Sequence, residues 1–179
     1  MGGVTLSLLR PKAPEDLLDE EAFAQDEFLP YWAELWPAAT ALVELLPEQL
    51  EGVRVLELGC GLGLPSLVAA ARGADVTAVD WAEDAVALLR RNAERNGLTL
   101  LAEVHDWRRP LERAFDLVVA ADVLYERRNV EPVLARLREA APVALVGLAG
   151  RPYEAEFLRL AGGDAEPVAE RVVRVTSRF

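Results

Sequence analysis

Apolar residues follow two rhythms along this 179-residue chain. Short, mostly apolar runs at Val53 to Leu58, Ala74 to Val79, Leu98 to Val104, Phe115 to Ala120 and Pro142 to Leu148 predict strands, the first two buried. Between them lie stretches with helical spacing: Pro37 to Leu46, Leu67 to Ala71, Ala82 to Asn96, Asn129 to Ala140 and Pro152 to Leu160. In the third helix Ala85, Leu88, Leu89 and Ala93 share one face, and Asn96-Gly97 supplies its stop. Pro37 suits a first helical turn, Pro47 ends that helix, and Gly73 caps the next. Val168 to Ser177 reads as β, either one long strand or a tight hairpin turning at Ala169-Glu170-Arg171. Strands alternating with helices predict an α/β fold: a Rossmann-like, mostly parallel sheet with helices on both faces. Its antiparallel C-terminal edge is complete or shortened according to which reading of 168–177 holds.

The N-terminal third is less regular. Val4 to Leu9 alternates apolar and polar residues and predicts an edge or cover strand, ended by Pro11 and Pro14. Glu15 to Glu27 is acidic with Leu17, Leu18 and Phe23 interleaved. It reads equally as an ordered element, a short helix or a cover over a pocket, or as a solvated lead-in. Tyr31, Trp32 and Trp36 follow within six residues. They either pack the Pro37 helix onto the sheet or wall a ligand pocket.

In parallel sheets ligands bind beyond the carboxyl ends of the strands. Here those ends carry Glu57, Asp80, Asp106 and Asp122. Any one could be a plain turn former; four along one edge point to a binding site. The first strand runs into Gly59-Cys60-Gly61-Leu62-Gly63, a turn that brings backbone close to whatever it holds. A dinucleotide fingerprint requires G-x-G-x-x-G. Counted from Gly59 the third glycine falls on Leu64, and from Gly61 on Ser66, so neither register fits. The pattern is E-x-G-x-G-x-G, suited to a ligand without a pyrophosphate. Asp80 lies 21 residues after Gly59, where a strand-end carboxylate accepts hydrogen bonds from ribose hydroxyls.

Composition narrows the chemistry. The net charge is −11, which argues against a phosphate backbone as partner, and nucleic acid is not expected. One cysteine, Cys60, permits no internal disulfide and fits a reducing cytoplasmic setting. One His and one Cys give no metal set. No G-K-[ST] loop and no G-x-S-x-G elbow occurs. No apolar run is long enough to span a bilayer, so no membrane partner is expected.

Glu57 to Gly63, strand-terminal Asp80, His105-Asp106-Trp107 and Ala121-Asp122 together resemble the class I, seven-β-strand S-adenosylmethionine-dependent methyltransferases, over about Tyr31 to Arg151. Pro30 to Pro37 and Asp122-Val123-Leu124-Tyr125 resemble the protein-lysine methyltransferase group marked by D-x-x-[YF], within it the electron-transfer-flavoprotein β-subunit lysine methyltransferase type. The resemblance implies one methyltransferase domain over 1–179, with 1–29 as an N-terminal cover segment and 30–179 as the cofactor-binding core.

It also implies site roles. Gly59, Cys60, Gly61 and Gly63 would form the turn around the methionine part of S-adenosyl-L-methionine, and Glu57 would support that turn or reach the amino group through water. Asp80 would hold the ribose. Trp81 and Trp107 would flank the adenine, and Asp106 would accept from its amine. Trp36 would close the pocket and Ala121 would line it near the sulfonium. Asp122 and Tyr125 would be catalytic, facing the incoming nucleophile: Asp122 accepting from an amine, Tyr125 packing on its stem. The acceptor implied is a lysine side chain of a protein, with a small-molecule amine on the same fold as the alternative and a non-catalytic cofactor-binding module behind it. Amide and nucleobase methylation usually goes with [ND]-P-P-[YF], which this chain lacks.

Overall fold

The computed structural model describes residues 4–11 and 31–177. After a 3-10 turn at Tyr31–Ala33 come helix α1 (Pro37–Leu45), strand β1 (Arg54–Leu58), α2 (Leu64–Ala71), β2 (Asp75–Asp80), α3 (Glu83–Arg95), β3 (Leu101–Val104) and β4 (Leu117–Ala121). Then follow α4 (Val130–Ala140), β5 (Val143–Gly147), α5 (Glu154–Ala161), β6 (Ala165–Ala169) and β7 (Val172–Thr176). The strands form one seven-stranded sheet in the order β3-β2-β1-β4-β5-β7-β6. The first five are parallel, and β7 runs antiparallel to both neighbours. No described helix is long and apolar enough to cross a membrane.

Strand parity sorts the core into two layers, because successive side chains point to opposite faces. Val55, Val76, Leu117, Val119 and Leu145 pack beneath α1 and α2, and Ala78 and Ala102 beneath α3. On the opposite face Leu56, Leu58, Val118, Ala120 and Val146 pack with Leu134, Leu137 and Phe157 of α4 and α5. Glu57 belongs by parity to the α1–α3 face, in register between Ala78 of β2 and Val119 of β4. Two helices end as their glycines predict. Gly73 donates to Ala70 and Ala74 to Ala69, while Gly97 donates to Glu94 and Leu98 to Ala93. Both are Schellman stops. Leu98 is thereby spent on ending α3, which is why β3 starts at Leu101 and not at Leu98.

The C-terminal edge is complete. Val172–Thr176 pairs with β5, and Ala165–Ala169 adds an outer strand through a two-residue turn at Glu170-Arg171. The outer strand has no apolar run to advertise it. Pro167 and a register irregularity between Pro167 and Ala169 mark it as an exposed edge.

Val4 to Leu9 joins no sheet, so the cover reading holds over the edge-strand one. Ser7 N–H donates to Asn96 Oδ1 at 2.8 Å and Asn96 Nδ2 returns to Ser7 O at 2.9 Å. Leu9 and Asn92 make the same reciprocal pair at 2.7 and 3.1 Å. Side chains one turn apart on a helix advance by about 6 Å, and alternate residues of an extended chain by about 6.6 Å. Two asparagines therefore stand in for a neighbouring strand. The acidic stretch Glu15 to Glu27 lies outside the described residues.

Candidate active site

The carboxyl ends of β1, β2 and β4 open into a cleft, the edge at which ligands of such sheets bind. Trp36, Glu57, Gly59, Cys60, Gly61, Gly63, Asp80, Trp81, Trp107, Ala121, Asp122 and Tyr125 all line it. Of the predicted site residues only Asp106 stands apart. It faces a smaller adjoining hollow, where Arg108 holds its carboxylate through both oxygens at 2.8–2.9 Å. That guanidinium also lowers the Asp106 pKa. His105 is likewise away from the cleft, its Nε2 paired with Arg109 O.

The glycine turn is built for its protein neighbours. Gly59 and Cys60 N–H both donate to Val79 O, at 2.9 and 3.0 Å, and Gly63 N–H to Cys60 O at 2.7 Å. Gly61 N–H donates to Asp80 Oδ2 at 2.9 Å. These four N–H groups are thus spent inside the protein. A Cβ on Gly59, at φ +67, would lie 2.8 Å from Val123 Cγ1, and one on Gly63, at φ +74, would run into the Leu89 side chain. The third glycine serves the packing of α2 against α3.

Two carboxylates brace this turn. Glu57 is 1% exposed, and its Oε2 accepts from Ser66 N–H at 3.0 Å and from Ser66 Oγ–H. Burial pushes its pKa up to about 8. Its visible work is to hold the start of α2, and Ser66 is its partner that the sequence pattern did not disclose. Asp80 is buried at the end of β2, accepting from Gly61 N–H at Oδ2 and from Ala82 N–H at Oδ1, 3.0 Å. Burial raises its pKa above the usual carboxylate value. Cys60 is buried, and its thiol is pushed well up by that burial and then by the neighbouring Asp80 and Glu57 charges.

The far side of the cleft is aromatic and charged. All three of Tyr31, Trp32 and Trp36 line it, and α1 is seated instead by Ala38, Ala39 and Leu42. Trp36 Nε1 donates to Tyr31 O at 2.8 Å, and the Tyr31 ring lies 4.9 Å from that of Tyr125. The D-x-x-Y segment splits by direction. Val123 and Leu124 are each 2% exposed and enter the core, leaving Asp122 and Tyr125 to the cleft. Burial holds the Tyr125 phenol above its ordinary pKa, and Trp81 and Asn129 hydrogen-bond to it. Asp122 has φ +52, the one non-glycine positive φ among the described residues. Its carboxylate accepts from Arg151, Nε to Oδ1 at 2.8 Å and Nη2 to Oδ2 at 2.6 Å. Arg151 Cζ sits 4.9 Å over the Trp36 ring. Arg151 was not among the expected site residues. It follows β5 as the four acids follow or end β1 to β4, so its place on the strand-end edge was a usable signal.

A profile of the lysine methyltransferase family matches residues 23–160. The chain belongs to that family. The electron transfer flavoprotein beta subunit lysine methyltransferase of Danio rerio is 37% identical over 102 residues, covering 54% of this chain and 40% of that protein. The ubiquinone biosynthesis O-methyltransferase of Methylocella silvestris is 40% identical over 85 residues, covering 44% of this chain and 31% of that protein. The matches thus span less than half the length of either relative. The magnesium protoporphyrin IX methyltransferase of Synechocystis, solved with bound S-adenosylmethionine, has a TM-score of 0.65 at 21% identity and covers 78% of both chains. The same enzyme of Synechocystis has also been solved with S-adenosylhomocysteine, at 20% identity and a TM-score of 0.65. The residues fit S-adenosylmethionine: a cleft at the strand ends, a buried carboxylate beside two indoles, and a glycine turn that lets backbone approach closely.

Proposed function

We propose that this methyltransferase transfers a methyl group to the side-chain amine of a lysine in a protein. The observation that carries the reading is the buried Asp122 carboxylate, paired with a cation and ringed by Trp36, Tyr31 and Tyr125 in the same cleft as the glycine turn. A carboxylate among aromatic faces recognises an alkylammonium head and its stem. The family match and the similarity to the Danio rerio protein, named as a lysine methyltransferase, support the same acceptor.

Asp80 would bind the ribose hydroxyls, Trp81 and Trp107 would flank the adenine, and the Gly59 to Gly63 turn with Glu57 behind it would shape the methionine end. Ala121, small and next to Asp122, would leave room for the methyl group. When bound, the cofactor supplies a methyl on a positively charged sulfur, already activated for displacement. The protein's task is then to place a neutral amine in line. A free lysine amine has a pKa near ~10.4, so on the order of one in a few thousand is neutral at pH 7. Asp122 would accept from the amine N–H groups and aim the lone pair at the methyl carbon, and the amine proton would leave to water at the cleft mouth. Tyr125 would pack along the lysine stem.

Incubation with methyl-labelled S-adenosylmethionine and a lysate of the source organism tests this. A labelled protein whose methyl maps to lysine by mass spectrometry is the expected result. Label confined to a small molecule, or to another residue type, overturns it.

A further inference from the structure

Asp122 is the residue the amine must reach, and its side chain is 1% exposed. Both of its oxygens are already held by Arg151. A lysine cannot take Asp122 while that pair stands. The guanidinium is also flanked by Trp36, which is hydrogen-bonded to Tyr31 O, with Tyr31 against Tyr125. Each of these contacts is one an alkylammonium acceptor would want. Arg151 therefore sits where a cationic acceptor would bind.

We propose that Arg151 is the resident occupant of the acceptor's cation subsite, formed by Asp122 with Trp36, Tyr31 and Tyr125, and that an acceptor enters only by exchanging its own alkylammonium or guanidinium head for it. The inference rests on the amine-acceptor reading and gives it a selection rule. A neutral acceptor that expelled Arg151 would leave a buried carboxylate uncompensated, which is strongly unfavourable. A cation restores the pair, so the site selects for charge before it selects for shape.

The surrounding loop suits such an exchange. Arg151 is 26% exposed along its side chain, so the guanidinium needs little movement to reach water. It follows Gly150, at φ +81, where nothing lies within 4 Å of an added Cβ. The loop backbone itself is pinned, since Ala149 and Gly150 N–H both donate to Glu154 Oε1, at 2.7 and 3.0 Å. The side chain can leave while the loop stays. The Glu154 charge already acts on Arg151 and offers the displaced guanidinium a second partner.

The opposite role, Arg151 as a fixed orienter of Asp122, makes the opposite forecast. The test is binding of n-butylammonium and n-butylguanidinium to the full chain saturated with S-adenosylhomocysteine, followed by calorimetry and tryptophan fluorescence, with n-butanol as the neutral control. Arg151→Ala is expected to bind both cations at least tenfold more tightly than the wild type, with n-butanol unchanged. Arg151→Lys, which keeps a resident cation, is expected to stay near the wild type. Arg151→Gln gives the same readout as the alanine variant and serves if the latter does not fold. Cation binding that is weakened or unchanged in both neutral variants overturns the proposal. Methyl transfer to protein lysine is scored separately. Tighter cation binding without lysine methylation keeps the subsite and removes the lysine reading. Lysine methylation with unaltered cation binding in the variants does the reverse.

Discussion

Asp122 and Arg151 form a two-point ion pair across the cleft between the ends of β4 and β5, with contacts of 2.8 and 2.6 Å. The backbone beneath it is unusual too, because Asp122 holds a left-handed φ of +52. Asparagine tolerates that conformation better than alanine does. Asp122→Asn is therefore expected to keep the fold and to lower methyl transfer at least about a hundredfold. Asp122→Ala should lose as much activity and, in addition, about 1–2 kcal/mol of stability. Cofactor affinity should move less than threefold in either. Steady-state kinetics, calorimetry and urea melts check the three numbers, and an active Asp122→Asn enzyme would sink the assignment.

Glu57 carries the pH dependence. Its folded pKa is about 8 against an ordinary 4.5, with burial as the leading cause. A folded pKa above the unfolded one means that the native state holds the extra proton between those two values. The associated stability is full below about pH 4.5 and is lost as pH rises through about 8. Across that interval the loss is on the order of 5 kcal/mol. Glu57→Gln keeps an oxygen for Ser66 and has no proton to lose. It should match the wild type near pH 5 and be the more stable protein near pH 9, as read from urea midpoints at both pH values.

The third glycine of the turn makes a packing prediction. Gly63 has φ +74, and a Cβ there would meet Leu89 of α3. Gly63→Ala is expected to cost about 2–4 kcal/mol, summing backbone strain and overpacking. Adding Leu89→Ala should relieve the collision but not the strain, so the pair will be non-additive. A double-mutant cycle on unfolding free energies measures that coupling. Additive losses would mean that the two sites do not touch.

The strand-end edge was legible because the central strands read as mostly apolar runs, with an acid at or just beside each carboxyl end. Glu57, Asp80 and Asp122 could be placed on one edge from that pattern alone. The hairpin partner of β7 was not legible, since Ala165, Glu166 and Pro167 carry no β signal and are fixed only by pairing with Val173, Arg174 and Val175. Arg151 was missed although it follows β5 on that same edge: its position was readable, but its pairing shows only when the fold brings it across to Asp122. The turn was half legible. Its glycines located the cleft, but only the coordinates show that Val79, Asp80 and Leu89 are what the glycines accommodate.

The N-terminal strap should be measurable as local stability. Asn92 is fully buried and pairs twice with Leu9. Asn92→Ala strands the Leu9 N–H and C=O and is expected to cost about 1–3 kcal/mol. Amide exchange at Leu9 should quicken by at least tenfold, while the amides of β1 and β4 change only in step with global stability. Uniform acceleration across the sheet would show that the strap does not open separately.

Asp80 joins turn and ligand. Each oxygen has a backbone partner, Gly61 N–H on one and Ala82 N–H on the other. Asparagine offers a single acceptor oxygen, so Asp80→Asn must leave one of those N–H groups facing an NH2. It also exchanges charge-assisted hydrogen bonds to a ribose, worth about 1.5–3 kcal/mol each, for neutral ones. Cofactor affinity is expected to fall at least tenfold, with a melting-temperature loss of a few degrees (about 1 kcal/mol for a chain of this size). The pH profile adds a second signature. Burial raises the Asp80 pKa, and only the carboxylate accepts from two hydroxyls, so wild-type affinity should rise with pH from the acid side. The Asp80→Asn variant should show a flatter limb. Calorimetric titration with S-adenosylhomocysteine between pH 4.5 and pH 7 reads both effects, and unchanged affinity at neutral pH would move the ribose contact away from Asp80.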